Sequence, residues 1–177
     1  MLKTLPTTIL ILSTALLGMA CAHTASDLKT ASQSDSQYDF KNAKTYQWEG
    51  AVGALNDPDG TWNPSSLDSV SELHFLINRE LSKKNFSQVT ENPDVVVMMA
   101  VVLDMDNQEM LASHKKDIET LVTLPKGALV VMLVDAKTNQ VVWIGEAESG
   151  IKNIQDISIV KKRLDAAVTG MFKKFPR

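Results

Sequence analysis

The sequence predicts an α+β domain, a mostly antiparallel sheet of four to five strands with two amphipathic helices packed on one face. Three observations carry that expectation. Apolar residues recur at helical spacing twice, at Val70, Leu73, Ile77 and Leu81, and at Ile157, Val160, Leu164, Val168, Met171 and Phe175. The run Val95 to Leu103 is apolar without a break and rich in β-branched side chains, as befits a central strand covered on both faces. Two further apolar runs, Gly127–Asp135 and Gln140–Glu146, flank the connector Ala136-Lys137-Thr138-Asn139, with Asp135 and Asn139 as turn formers of a hairpin.

Ahead of the domain, Lys3 is followed by a short apolar stretch from Leu5 to Leu17 that ends in Gly18-Met19-Ala20-Cys21. A membrane-spanning helix needs about 20 apolar residues. This stretch is shorter and closes on small residues, so residues 1–20 read as a cleavable signal peptide. Leu17-Gly18-Met19-Ala20-Cys21 resembles a bacterial lipobox, with Gly18 where Leu is usual. Cys21, the only cysteine in the chain, is therefore the expected lipidation site. Two or more acyl chains on it would anchor the protein stably. Ala22 rather than Asp follows the cysteine, which points to the outer membrane, facing the periplasm, where the host has two membranes.

Residues 21–36 form the lipidated cysteine and its tether. From Ala22 to Ser36 nearly every residue is small or polar, so a flexible coil with an end-to-end distance on the order of 20 Å is expected. Residues 37–177 form a single domain. Lys44 to Trp48 alternates as a half-buried strand does, and Gly50 to Pro64, with Asp57-Pro58-Asp59-Gly60, reads as a loop. Ser65 and Asp68 imitate a capping box for the first helix, which should end near Lys83-Lys84-Asn85. Phe86 to Val89 is a short strand and Glu91 to Asp94 a turn. The segment Asp104 to Pro125 is a long polar excursion, partly helical at most, around Ile118 to Leu121. Asp156 is the N-cap of the second helix, and Pro176 forbids its continuation.

Composition excludes several classes of function. Without residues 1–20 the chain carries 17 basic and 21 acidic residues, a balance of −4 that does not suit nucleic acid. With its one thiol lipidated, the domain can form no disulfide and depends on its core alone. No phosphate-binding glycine loop, nucleophile elbow or metal-spaced His or Cys pair occurs, so no catalytic residue, cofactor or metal site is expected. Asp104-Met105-Asp106 starts like a calcium loop but departs from it at Gln108, Glu109 and Lys115, and reads as a solvated strand end. His74, beside the apolar stripe of the first helix, is expected to be packed or solvent-bridging rather than a ligand. Trp62, in the loop before that helix, is either a lid on the core or an aromatic anchor for a partner.

Tyr38-Asp39-Phe40 with Tyr46-Gln47-Trp48, Asn92-Pro93-Asp94-Val95, Lys126-Gly127-Ala128-Leu129-Val130-Val131, Val134-Asp135-Ala136-Lys137-Thr138, Val142-Trp143-Ile144-Gly145 and the closing Phe172-Lys173-Lys174-Phe175-Pro176 together resemble a bacterial lipoprotein family known as domain of unknown function 4136. The resemblance spans about residues 37 to 176 and implies a periplasm-facing lipoprotein domain without an assigned activity. The expected function is a non-enzymatic binding or scaffolding module, held to a membrane through Cys21 and available to another envelope protein. The alternatives are a periplasmic hydrolase with a dispersed site, or a carrier of a small apolar ligand.

Overall fold

A computed structural model describes residues 26–60, 66–106, 126–150 and 156–176, and by their backbone 108–112 and 119–123. Cys21, the signal peptide and Trp62 lie outside these residues. Ten elements follow in order: β1 (Lys29–Ser34), β2 (Thr45–Asn56), α1 (Ser69–Lys83), β3 (Ser87–Gln88), β4 (Val95–Asp104), β5 (Gln108–Ala112), β6 (Glu119–Thr123), β7 (Lys126–Asp135), β8 (Val141–Gly150) and α2 (Ile157–Phe172).

Six strands form one sheet in the order β1-β8-β7-β4-β2-β3, and β5 and β6 form a separate antiparallel pair. The β4–β7, β7–β8 and β1–β8 ladders are antiparallel, whereas β2 runs parallel to both β3 and β4. The α+β class stands, but the sheet is mixed and has six strands rather than four to five. The parallel pair follows from α1, a crossover that returns the chain to the sheet in its original direction.

Residues alternate across the sheet. Val95, Val97 and Met99 of β4, Leu129, Val131 and Leu133 of β7, and Trp143 and Ala147 of β8 are buried in one cluster with Leu73, Leu76, Ile77 and Leu81 of α1 and Ala167, Val168, Met171 and Phe172 of α2. Gly145 permits the close packing of the Trp143 ring. A Cβ there would lie 2.9 Å from Trp143 Cζ2 and 3.1 Å from Met171 Cβ.

Three expectations are corrected. Lys29–Ser34, expected to belong to a flexible tether, instead pairs with β8 along its whole length. Five of its six side chains are exposed, so backbone pairing rather than burial orders it. Thr30 also packs against Gly170 of α2, where a Cβ would lie 2.8 Å from Thr30 Oγ1. The loop expected from Gly50 belongs to β2 as far as Asn56, zipped onto the apolar β4 beyond a register shift between Trp48 and Gly50. The polar excursion contains the β5–β6 pair rather than a partial helix.

Local chemistry explains the element ends. Asp68 is itself the N-cap of α1, accepting from the Ser71 N–H at 3.1 Å, so Ser65 does not start the helix. Asp156 caps α2 by accepting from the Ser158 N–H at 2.8 Å. Asp135 accepts from the N–H groups of Lys137 and Thr138, and Asn139 takes the left-handed conformation (φ 57°) that closes the hairpin. In Asn92-Pro93-Asp94, Asn92 is left-handed (φ 49°). Asp94 Oδ2 accepts from the Lys44 and Thr45 N–H groups and the Thr45 hydroxyl, tying the start of β2 to that of β4. Those bonds, the Lys44 N–H first, hold the Asp94 carboxyl below the usual carboxylate range.

Candidate functional site: a lysine-lined cleft

The start of β2 and the C-terminal ends of both helices meet at one end of the molecule. There Trp143, Phe172 and Phe175 pack with ring centroids 4.7–5.6 Å apart, and Phe40 and Phe86 meet Phe175 edge-on at 5.3 and 6.0 Å. Above this aromatic knot lies a cleft of about 490 Å³, with Phe40, Phe86, Phe172 and Pro176 among its walls. Among the described residues its charged lining is Lys41, Lys44, Lys83, Lys84 and Lys173 against the carboxylate of Glu80.

Lysines at helix C-termini complement the helix dipole, which accounts in part for Lys83, Lys84 and Lys173. It does not account for Lys41 and Lys44, which belong to the segment between Phe40 and β2. Lys83 Nζ pairs with Glu80 at 2.8 Å and Lys84 Nζ lies 5.9 Å from the centroid of the Phe175 ring. Among the described residues no carboxylate forms an ion pair with Lys41, Lys44 or Lys173, although each borders the same cleft.

Among the described residues Glu80 is the one buried charged side chain, and its partners link the helices. Arg79 Nη2 donates to Glu80 Oε1 and to Asp165 Oδ1, each at 2.6 Å, and to the Thr169 hydroxyl at 2.9 Å. Burial works to raise the Glu80 pKa, but hydrogen bonds from Lys83 and Arg79 outweigh it and hold the group below its ordinary value. A group depressed in this way stabilises the fold above its unfolded pKa, about 4.3, and loses that contribution as pH falls through the folded value. Glu80→Gln is accordingly expected to cost about 1–3 kcal/mol at pH 7. The gap between urea melts of the two proteins should shrink as pH falls below about 4.3, and a gap that does not change with pH would contradict the assignment.

His74 is packed as expected, its ring stacked on Trp48 at 4.0 Å and 7°. Asn78 Oδ1 accepts from Trp48 Nε1 and the Tyr46 hydroxyl alongside. Asp104 is a strand end that accepts from Asn56 Nδ2 and the Asp106 N–H. Among the described residues no three His, Cys, Asp or Glu side chains are grouped to hold a metal ion, and no helix is long and apolar enough to cross a membrane. Trp62 and Cys21 are not brought to the cleft by anything described. The cleft was not legible in the sequence, where Lys83-Lys84 read as a helix end, Lys44 as the start of a strand, and Lys41 as nothing in particular. Their only signal is that Lys41/Lys44, Lys83/Lys84 and Lys173/Lys174 each flank an element end.

Residues 30–177 match the family described as Domain of unknown function (DUF4136). The chain belongs to that family. A DUF4136 family protein from Bacteroides thetaiotaomicron has a similar fold, with a TM-score of 0.51 at 8% identity over 81% of this chain and 95% of that one. Weaker similarities are to a PDZ domain protein from Parabacteroides distasonis (TM-score 0.45, 16% identity, 85% of this chain) and a minor lipoprotein from Acinetobacter baumannii (TM-score 0.41, 11% identity, 75% of this chain and 91% of that one). The chain spans about a third of the PDZ domain protein, 36% of its length. No curated protein matches the chain.

Proposed function

We propose that this DUF4136 protein is a non-enzymatic envelope lipoprotein, acylated on Cys21, that binds an anionic ligand in the lysine-lined cleft. In a two-membrane envelope its place is the outer membrane, facing the periplasm. The observation that carries the binding reading is the gathering of five lysines around one carboxylate, with Lys41 and Lys44 at no helix end. Such a cleft raises the local concentration of anions. Its aromatic walls favour a ligand whose carboxylate or phosphate sits on a partly apolar body, such as an acidic segment of another envelope component. Binding is favoured over hydrolysis because Glu80 is held ionised by Lys83 and Arg79, and so is poorly suited to exchange protons near neutral pH. The acylation reading rests on the sole cysteine following a small-residue cleavage site.

Inorganic pyrophosphate is a suitable probe. Equilibrium dialysis is expected to find one saturable site that weakens as salt rises, since screening acts on exposed charges. Lys44→Ala/Lys84→Ala/Lys173→Ala should abolish it. Unchanged binding by that variant would place anion recognition elsewhere, and no saturable binding by the parent would remove it.

A further inference from the structure

The tether strand has a consequence for orientation. Arg163 of α2 grips Asp27 with both arms, Nη1 and Nη2 each donating to a carboxylate oxygen at 2.9 Å, while Nη2 also reaches the Gly150 carbonyl at 3.2 Å. The Arg163 side chain is largely buried, and a bidentate charged pair in that setting fixes both position and direction. From Asp27 back to Cys21 there are only six peptide units, 27 − 21, which reach at most about 20 Å fully extended.

The register places the point of departure. Gly150, Lys126, Asp104 and Asn56 lie side by side in the last row of the sheet, and the β5–β6 pair leaves the sheet from the same end. Val95, nine residues before Asp104 on the same strand, lies about 30 Å away. The cleft is beside that far row, since Lys44 and Phe86 immediately precede Thr45 and Ser87. Several of the exposed apolar side chains lie toward the tether end, while Val141, 51% exposed, lies near the opposite end. Leu55 and Val102, 54% and 42% exposed, fall within two rows of it. Ile157, 39% exposed, begins α2 about 9 Å before Arg163, on the side away from the cleft.

We infer that, in the acylated protein, the Asn56–Asp104–Lys126–Gly150 end of the sheet lies against the phospholipid surface that holds the chain, with the lysine cleft facing away from it. This rests on the acylation of Cys21 proposed above. A few aliphatic side chains would not bind a bilayer unaided. Kept within about 20 Å by the anchor, they act at a high effective concentration, so a weak contact suffices. The cleft is then about 30 Å farther out. Its anionic ligand is therefore not a headgroup of the anchoring leaflet but a group carried by a soluble or cell-wall-borne component.

The test uses the full acylated chain in phosphatidylethanolamine–phosphatidylglycerol vesicles containing a lipid with a nitroxide headgroup. With Cys21 acylated, an introduced cysteine is the only free thiol. A fluorophore on Val102→Cys should be quenched several-fold more than one on Lys137→Cys, in the far-end hairpin turn. Leu55→Cys repeats the test if the first variant fails to fold. Equal quenching, or stronger quenching at Lys137→Cys, overturns the orientation. Flotation of the parent beside Cys21→Ser separates the two readings. A parent that does not float with the vesicles overturns acylation and the orientation with it, whereas a floating parent with equal quenching overturns the orientation alone.

Discussion

Trp143→Ala is expected to destabilise the domain by about 3–5 kcal/mol, the range for removing a fully buried large aromatic. Trp143 is 1% exposed and packs on Phe172 and Phe175, with Gly145 and Met171 closing around its ring. Cutting it to Ala opens a void where sheet, α2 and the C-terminal Phe175 meet, and these rigid elements cannot collapse into it. Trp143→Phe should cost much less. It keeps most of the ring and removes an indole N–H that has no hydrogen-bond partner among the described residues. Denaturant melts against an exposed Lys162→Ala control, expected within about 0.5 kcal/mol of the parent, check both changes. A Trp143→Ala shift no larger than the control's would mean that the core lies elsewhere.

That core was largely legible in the sequence, because burial leaves a periodic trace. The apolar spacing of α1 and α2, the cap at Asp156, and the Asp135–Asn139 turn all announce their structures locally, whereas the capping box read from Ser65 misplaced the cap that Asp68 supplies. What escaped were the elements ordered by neighbours. Lys29–Ser34 has no buried side chain and is a strand only because β8 offers an edge and Gly170 offers Thr30 a seat. Gly50–Asn56 is small and exposed, and extended because β4 beside it is. The cleft was invisible for a related reason. Its lysines come from the Phe40–Lys44 segment, the end of α1 and the end of α2, and only the parallel return of β4 brings these together. The role proposed for Cys21 rests on the sequence alone, since Cys21 lies outside the described residues.

The second large effect is expected at that residue. Cys21→Ser should move the protein wholly from the membrane pellet to the soluble fraction, or leave its leader uncleaved. Two or more acyl chains make anchoring stable, at about 0.8 kcal/mol per buried methylene, whereas the domain alone has only a few exposed aliphatic side chains to offer. Fractionation and metabolic labelling with palmitate test this together. Unchanged membrane association with unchanged labelling would contradict the lipoprotein reading. In the parent, density-gradient separation is expected to place the protein with outer-membrane markers.

The anion binding proposed for the lysine cleft is tested most directly by amide chemical shifts. Titrating the lipid-free Cys21→Ser chain with inorganic pyrophosphate should shift the amides of Lys44, Lys84, Phe86 and Lys173 saturably, and leave those of Ala54 and Val102 at the tether end unmoved. Shifts that persist in the Lys44→Ala/Lys84→Ala/Lys173→Ala variant, or that cluster away from the cleft, would contradict it.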